Sequence, residues 1–363
     1  MTYSMKPIGC DPARIKGASG EAGAQRGERP MRATIAAAVA LLIVGGVSYQ
    51  VRAAEAEAPP LQLEATIPLG DVSGRIDHMA VDVKRQRLFV AEFGNNTVGV
   101  VDLVARTVLR RLTGLKEPQG IGYEPVSDTV YVANARDGSV HLFHGDVYAS
   151  AGTIALGSDA DNVRIDAKGT RVVVGYGAGA LAFIDPANRR KVGEARIAQH
   201  PEGFQIDPET NRTFVNVPDE RSIVVVDAAD GKLVATWAQS GRSGNFPMAL
   251  DPVRRQVLAV FRRPAVLAIF SMEDGSPVAK LPVCGDSDDI FVDAKRQRAY
   301  VSCGEGFVDV IDLAVAPIKR VAHIPTASGA RTALFIPDLD RLVVATPARG
   351  ATPAAIRLFR PIP

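Results

Sequence analysis

Carboxylates and histidines recur along this sequence at intervals of about 42 residues, and their types set the chemistry open to the protein. Asp77 and His78, Gln119, Asp161 and Asn162, Glu202, and Asp288 and Asp289 share one offset, four or five residues before a repeated turn. Phe246 and Thr332 hold that place in two further copies, and Arg75, Asp159, His200, Asp286 and Arg331 flank the set. Oxygen donors converging from separate loops suit a hard divalent cation such as Ca²⁺, and equally a cationic or polyhydroxylated ligand. Asn162, Glu202, Asp288 and Asp289 are the candidate metal ligands. Asp77, His78, Gln119, Asp161, Asn162, Glu202, Asp288, Asp289 and Arg331 are the candidate ligand contacts. The competing reading is that these charges solvate loop ends and pair with Arg75, Arg164 and Arg331.

His78 is the candidate acid or base, because a carboxylate beside an imidazole favours its protonated form and suits proton transfer. A histidine bonded to a neighbouring loop is the plainer outcome. His141, His144 and His323 fall on strands and receive no function. Cys284 and Cys303 are placed to form a disulfide within one repeat, closing a loop of about 20 residues; a thiol pair on a soft metal is the rival. The absence of CxxC, CxxCH and HExxH excludes zinc ribbons, c-type haem and zincin chemistry.

These residues need elements that bring seven distant segments to one place. Residues 80–91, AVDVKRQRLFVA, return at 291–302 as FVDAKRQRAYVS, and weaker copies lie between them. Asp82, Glu124, Asp166, Asp207, Asp251, Asp293 and Pro337 form one column, with successive gaps of 42, 42, 41, 44, 42 and 44 residues. In each copy a short apolar strand reaches the column residue and a polar turn follows, where Asp can bond to its own turn's backbone. Second strands such as Leu88–Ala91 are continuous apolar runs that read as buried on both faces, and third strands such as Val98–Asp102 are as regular. A fourth, more polar strand closes the unit. Four antiparallel strands repeated at this period predict a β-propeller blade.

The seventh copy ends at Pro363 after its third strand, and Gln62–Pro68 resembles the fourth strand Lys319–Pro325. The prediction is an all-β, seven-bladed β-propeller of four-stranded antiparallel blades, closed by an N-terminal strand that completes the last blade and removes a sheet edge. Closure places His78 two blades round from Asp288 and Asp289.

The phrases LFVAEFGNNTVGVVD at 88–102 and VYVANARDGSV at 130–140 resemble the YVTN-repeat family, and the chain is similar to exported bacterial propellers of the YncE-like group. That resemblance implies the fold and leaves function open, since propellers host unrelated activities. It favours a binding module that takes a small molecule or a cell-envelope protein or peptide on its loop face, acting as a monomer. The alternative is a divalent-metal-dependent hydrolase or lyase resembling lactonase propellers, which draw Glu, Asn and Asp ligands from separate blades; Glu202, Asn162 and Asp288 or Asp289 supply those types here. A quinoprotein dehydrogenase is disfavoured, because the single tryptophan, Trp237, cannot supply its Trp-rich signature.

The remaining sequence is read as an address. Met31-Arg32, the apolar run 33–47 and A-x-A-like sites at 51–53 and 54–56 form the three regions of a secretory signal peptide. The apolar run is shorter than the roughly 20 residues that span a bilayer. We therefore expect residues 1–30 to be a non-structural overhang or a mis-assigned start, 31–56 a signal peptide, and 57–363 one exported domain, periplasmic or secreted, without a stable membrane span after cleavage. Across its 363 residues Lys and Arg number 42 against 40 Asp and Glu, too balanced for a protein that covers nucleic-acid phosphates. Hydrophobic residues at 47% provide ample core.

Overall fold

The computed structural model describes residues 58–363; the overhang and signal peptide expected from the sequence lie outside the described residues. Twenty-eight strands form seven four-stranded antiparallel sheets. Six sheets are consecutive along the chain. The seventh places the strands in the order Ala333–Ile336, Arg341–Thr346, Ala354–Pro361 and finally Leu61–Gly70. Leu61 pairs with Pro361 and Ile67 with Ile356, so the N-terminal strand supplies the outermost strand of the last blade, as expected. The first strands of successive blades touch in order, and that of blade 7 touches that of blade 1. A propeller closed in this way leaves no blade short of a strand.

The repeat alignment corresponds to turn chemistry. Asp82, Asp251 and Asp293 each accept the backbone N–H three residues on, at 3.1 Å, while Glu124 accepts those of Val126 and Ser127. In blade 7, where the column residue is Pro337, a single 3₁₀ turn over Pro337–Leu339 takes the place of the capped turn. The arginine that follows in three copies reaches across to the next blade. Arg85 bonds Asp128 of blade 2, Arg254 bonds Gln297 of blade 6, and Arg296, besides Asp293 of its own turn, bonds Asp340 of blade 7. The basic outer turns of the sequence are therefore inter-blade clasps.

The core is divided rather than central. Seven apolar clusters lie one at each blade interface; the one between blades 1 and 2, for example, joins Phe89 and Val100 to Val130 and Phe143. Second strands are buried along nearly their whole length, whereas fourth strands alternate and face solvent, which explains why the latter carry charge in the sequence. This packing holds the first strands rigid around an axial channel, and their leading ends frame its mouth.

Candidate functional site

The shared offset of the site residues has a structural cause. In blades 2, 3, 5 and 6 the pairing of the first strand with the second slips within its leading end, between Pro118 and Ile121, Ala160 and Val163, Asn245 and Met248, and Ser287 and Asp289. The residues so released are Gln119, Asp161 and Asn162, Phe246 and Pro247, and Asp288. A bulge re-aims side chains that a regular ladder would bury between blades. The leading ends of neighbouring blades also nearly touch. A Cβ on Gly120 would lie 2.0 Å from the carbonyl oxygen of Asp161, and one on Gly203 2.3 Å from that of Phe246. Only glycine permits this approach, and it fixes where Asp161 and Glu202 stand.

A vestibule of about 240 Å³ opens at this face, lined by groups including Asp161, His200, Glu202, Arg262 and Arg331. Below it lies a chamber of about 20 Å³ that Asn162 and Arg164 help to line. His78, Glu202, Phe246 and Asp288 border both spaces and form the neck between them.

Most of the charge here is paired. Arg75 bonds Asp77, and donates to Gln119 Oε1 at 2.8 Å. Arg262 donates to Asp288 Oδ1 at 2.6 Å and stacks over Phe246 at 4.0 Å. Arg331 donates to Asp286 at 3.0 Å. Asp289 Oδ2 accepts the Ala333 amide at 2.9 Å, and its Oδ1 stands 3.7 Å from His78 Nδ1. Asp77 Oδ1 is 3.9 Å from the other imidazole nitrogen, so His78 is flanked by carboxylates at ion-pair rather than hydrogen-bond distance. Burial alone would lower the His78 pKa, but Asp289, with help from Asp77 and Asp161, raises it to about 10 and keeps the ring charged. The mouth, which the sequence suggests is mostly acidic, is thus a network of compensated charges.

Three side chains depart from that compensation. Asp161 Oδ1 and Asn162 Oδ1 are buried without a hydrogen-bond partner. Glu202 makes no side-chain hydrogen bond or ion pair among the described residues; burial, with the nearby Asp161 charge, pushes its pKa up to about 8. Asp161, His200 and Glu202 each offer one donor atom, all within 4.8 Å of one another. His200 Nδ1 lies 2.6 Å from the Gly177 carbonyl, which makes that nitrogen the donor and leaves Nε2 facing Asp161 at 3.8 Å. Burial would lower the His200 pKa, but Asp161, the Gly177 carbonyl and Asp159 raise it to about 9.

The structure therefore groups Glu202 with Asp161 and His200. Asp288 is engaged by Arg262 and Asp289 by the Ala333 amide and His78, so neither joins Glu202 in that cluster; Asn162 faces the chamber below. Asp77, His78, Gln119 and Arg331 line the vestibule as salt-bridge or hydrogen-bond partners. Arg262 was not legible in the sequence, because it lies near the end of a second strand rather than before a column residue. Cys284 and Cys303 form the expected disulfide, with Cα atoms 5.9 Å apart, and so tie down the loop that carries Asp286 and leads into the strand of Asp288.

No protein-family model and no curated protein matches this chain. Among solved structures it is similar to a chain of the Kuenenia stuttgartiensis hydrazine synthase, 19% identical with a TM-score of 0.68, over 78% of this chain and 98% of that one. It is similar also to a chain of the mitotic checkpoint complex, 12% identical with a TM-score of 0.71, over 88% and 99% of the two chains. At these identities the likeness concerns the propeller fold alone. Among the described residues no helix is long and apolar enough to cross a membrane.

Proposed function

We propose that this protein is an exported, YVTN-like binding propeller whose axial mouth carries a divalent metal ion on Asp161, His200 and Glu202. The observation that carries the reading is their convergence within 4.8 Å beside a buried Asp161 oxygen that has no protein partner. One imidazole and two carboxylates suit Mn²⁺, Fe²⁺ or Zn²⁺ better than Ca²⁺, which prefers six or more oxygens. The hydrogen bond from His200 Nδ1 to Gly177 gives the orienting contact that metal-bound histidines usually have. Three protein donors leave coordination positions open to a ligand entering from the vestibule.

Those open positions also favour a second reading, a metal-dependent hydrolase or lyase in which the ion polarises a substrate carbonyl and His78 at the neck moves a proton. Metal analysis of the purified protein, with thermal melting before and after chelation, tests the shared premise. We expect about one bound ion per chain, lost in Asp161→Asn and kept in Asp288→Asn. An ion-free protein that takes up no Mn²⁺ or Zn²⁺ and melts unchanged with chelator refutes it. Export is tested by the N-terminus of the periplasmic protein, expected near Ala54 or Glu57; an uncleaved cytosolic chain contradicts it.

A further inference from the structure

Away from the mouth, between the connector 240–242 that leaves blade 4 and the outer strand Pro277–Pro282 of blade 5, lies a groove of about 830 Å³, within the size range of small-molecule sites. Its walls are largely proline, valine and alanine, and Arg242 and Lys280 are the only charged residues that line it. Arg242 lies over the Phe261 and Phe270 rings at 5.1 and 5.4 Å. Among the described residues it spends one of its five donors, from Nη2 to Gln239 Oε1 at 3.1 Å. Phe261, Ala268 and Phe270 belong to the cluster that faces blade 4, and Lys280 is paired with Ala268, so its side chain stands on the same face.

The other blades show what this face lacks. The position of Lys280, opposite the middle of the third strand, is ionisable in three more blades: Arg111 opposite Gly99, Glu194 opposite Ala182 and His323 opposite Asp309. Each of these has a partner. Arg111 pairs with Glu92 at 2.9 Å and Glu194 with Lys191, while the buried Asp309 serves both His323 at 2.6 Å and Arg320 at 3.1 Å. In blade 5 the residue that aligns with Asp309 is Ala268, and neither Lys280 nor Arg242 has an ion pair among the described residues. Nearby carboxylates do not fill the gap: Glu273 pairs with Arg255 at 3.1 Å, Asp274 accepts the Ser276 N–H at 3.0 Å, and Asp219 and Glu220 of blade 4 do not line the groove. Arg263, next to the lining Pro264, is a further exposed cation.

We propose that this groove is a second ligand site, which takes a small amphiphile with a carboxylate head and an alkyl body. The head stands where Asp309 stands in blade 6 and accepts from Arg242 and Lys280, as Asp309 accepts from two basic side chains. The alkyl body lies along the proline and valine walls and leaves water. An extended peptide is the poorer occupant. Val283 donates its N–H to the Ala265 carbonyl at 3.3 Å, so the alternate residues Leu281 and Ala279 also turn their backbone groups inward. The outward positions between them and Val283 fall to Lys280 and Pro282, and proline has no N–H, which blunts this sheet edge against an added strand.

The test is calorimetric titration of octanoate into the purified protein, in chelator so that no carboxylate is drawn to an axial metal. Octan-1-ol, with the same chain and no charge, and the acetylated peptide Ala-Val-Leu with a free C-terminal carboxylate are the comparisons. We expect one octanoate per chain, with octanol and the peptide each at least about tenfold weaker. Lys280→Met and Arg242→Met should each weaken octanoate about tenfold. Ala268→Asp, which installs the carboxylate of blade 6, should abolish its binding; the exposed Lys280 variant serves if the buried changes do not fold. No octanoate binding, binding that octanol or the peptide matches, or binding that the Lys280 variant leaves unchanged overturns the proposal. None of these results bears on the axial metal site.

Discussion

Replacing Glu202 with glutamine should stabilise the metal-free protein at pH 8 while removing its metal. Burial raises the Glu202 pKa from 4.5 to about 8 in the folded state. Between those values the folded protein holds a proton that the unfolded chain has released, so stability falls as pH rises from 4.5 and the loss is complete above about 8. Each pKa unit corresponds to about 1.4 kcal/mol, which makes the unscreened penalty at pH 8 about 4 kcal/mol. Water in the vestibule reaches this carboxyl and screens it, and we take about half, roughly 2 kcal/mol. For a domain of this size that is a rise in Tm of roughly 3 °C. The assay is thermal unfolding of wild type and Glu202→Gln in chelator, at pH 5 and at pH 8. The expected difference is near zero at pH 5 and positive at pH 8. A difference that does not change with pH, or a glutamine variant less stable at pH 8, refutes the placement of Glu202 as an unpaired acid. A residue that costs stability and binds metal is what a functional site retains against that cost.

Two further perturbations test the scaffold. Cys303→Ser opens the Cys284–Cys303 loop and should lower unfolding stability by about 3 kcal/mol in the chain-entropy account, read as a shift of the urea midpoint that disappears when the wild type is reduced. Arg296→Met strips the buried Asp293 of its cation and leaves Lys295 as the remaining link from that turn to Asp340 of blade 7; it should cost about 3 kcal/mol, whereas an unchanged midpoint would show that the Arg296 clasp carries no stability.

The repeat was legible because its signals are local. An aspartate that caps its own turn, and strands buried on both faces, leave the same mark in every copy, and the unfinished seventh copy pointed to Gln62–Pro68. The mouth residues were legible as a set because the leading end of the first strand, bulged in four of the blades, falls at a constant distance before the turn. Which of them meet was not legible. Asp288 leaves the candidate metal set because Arg262, at the end of a strand in the preceding blade, takes its carboxylate. His200 enters the set although it lies two residues before Glu202, since the Gly177 carbonyl of the neighbouring blade turns its ring. Charge pairing across blades depends on long side chains from different repeats, and no spacing within one repeat encodes it. The expectation of Ca²⁺ followed from an oxygen-rich mouth, and the proposed set, with one imidazole among three donors, suits a transition-metal ion better.

The most direct test of the metal site is a crystal structure of the protein soaked in Mn²⁺, with anomalous differences recorded. The account predicts one strong axial peak about 2.0–2.3 Å from Asp161, His200 Nε2 and Glu202. A peak on Asp288 and Asp289 instead, or an axial mouth with no peak at millimolar Mn²⁺, would contradict it.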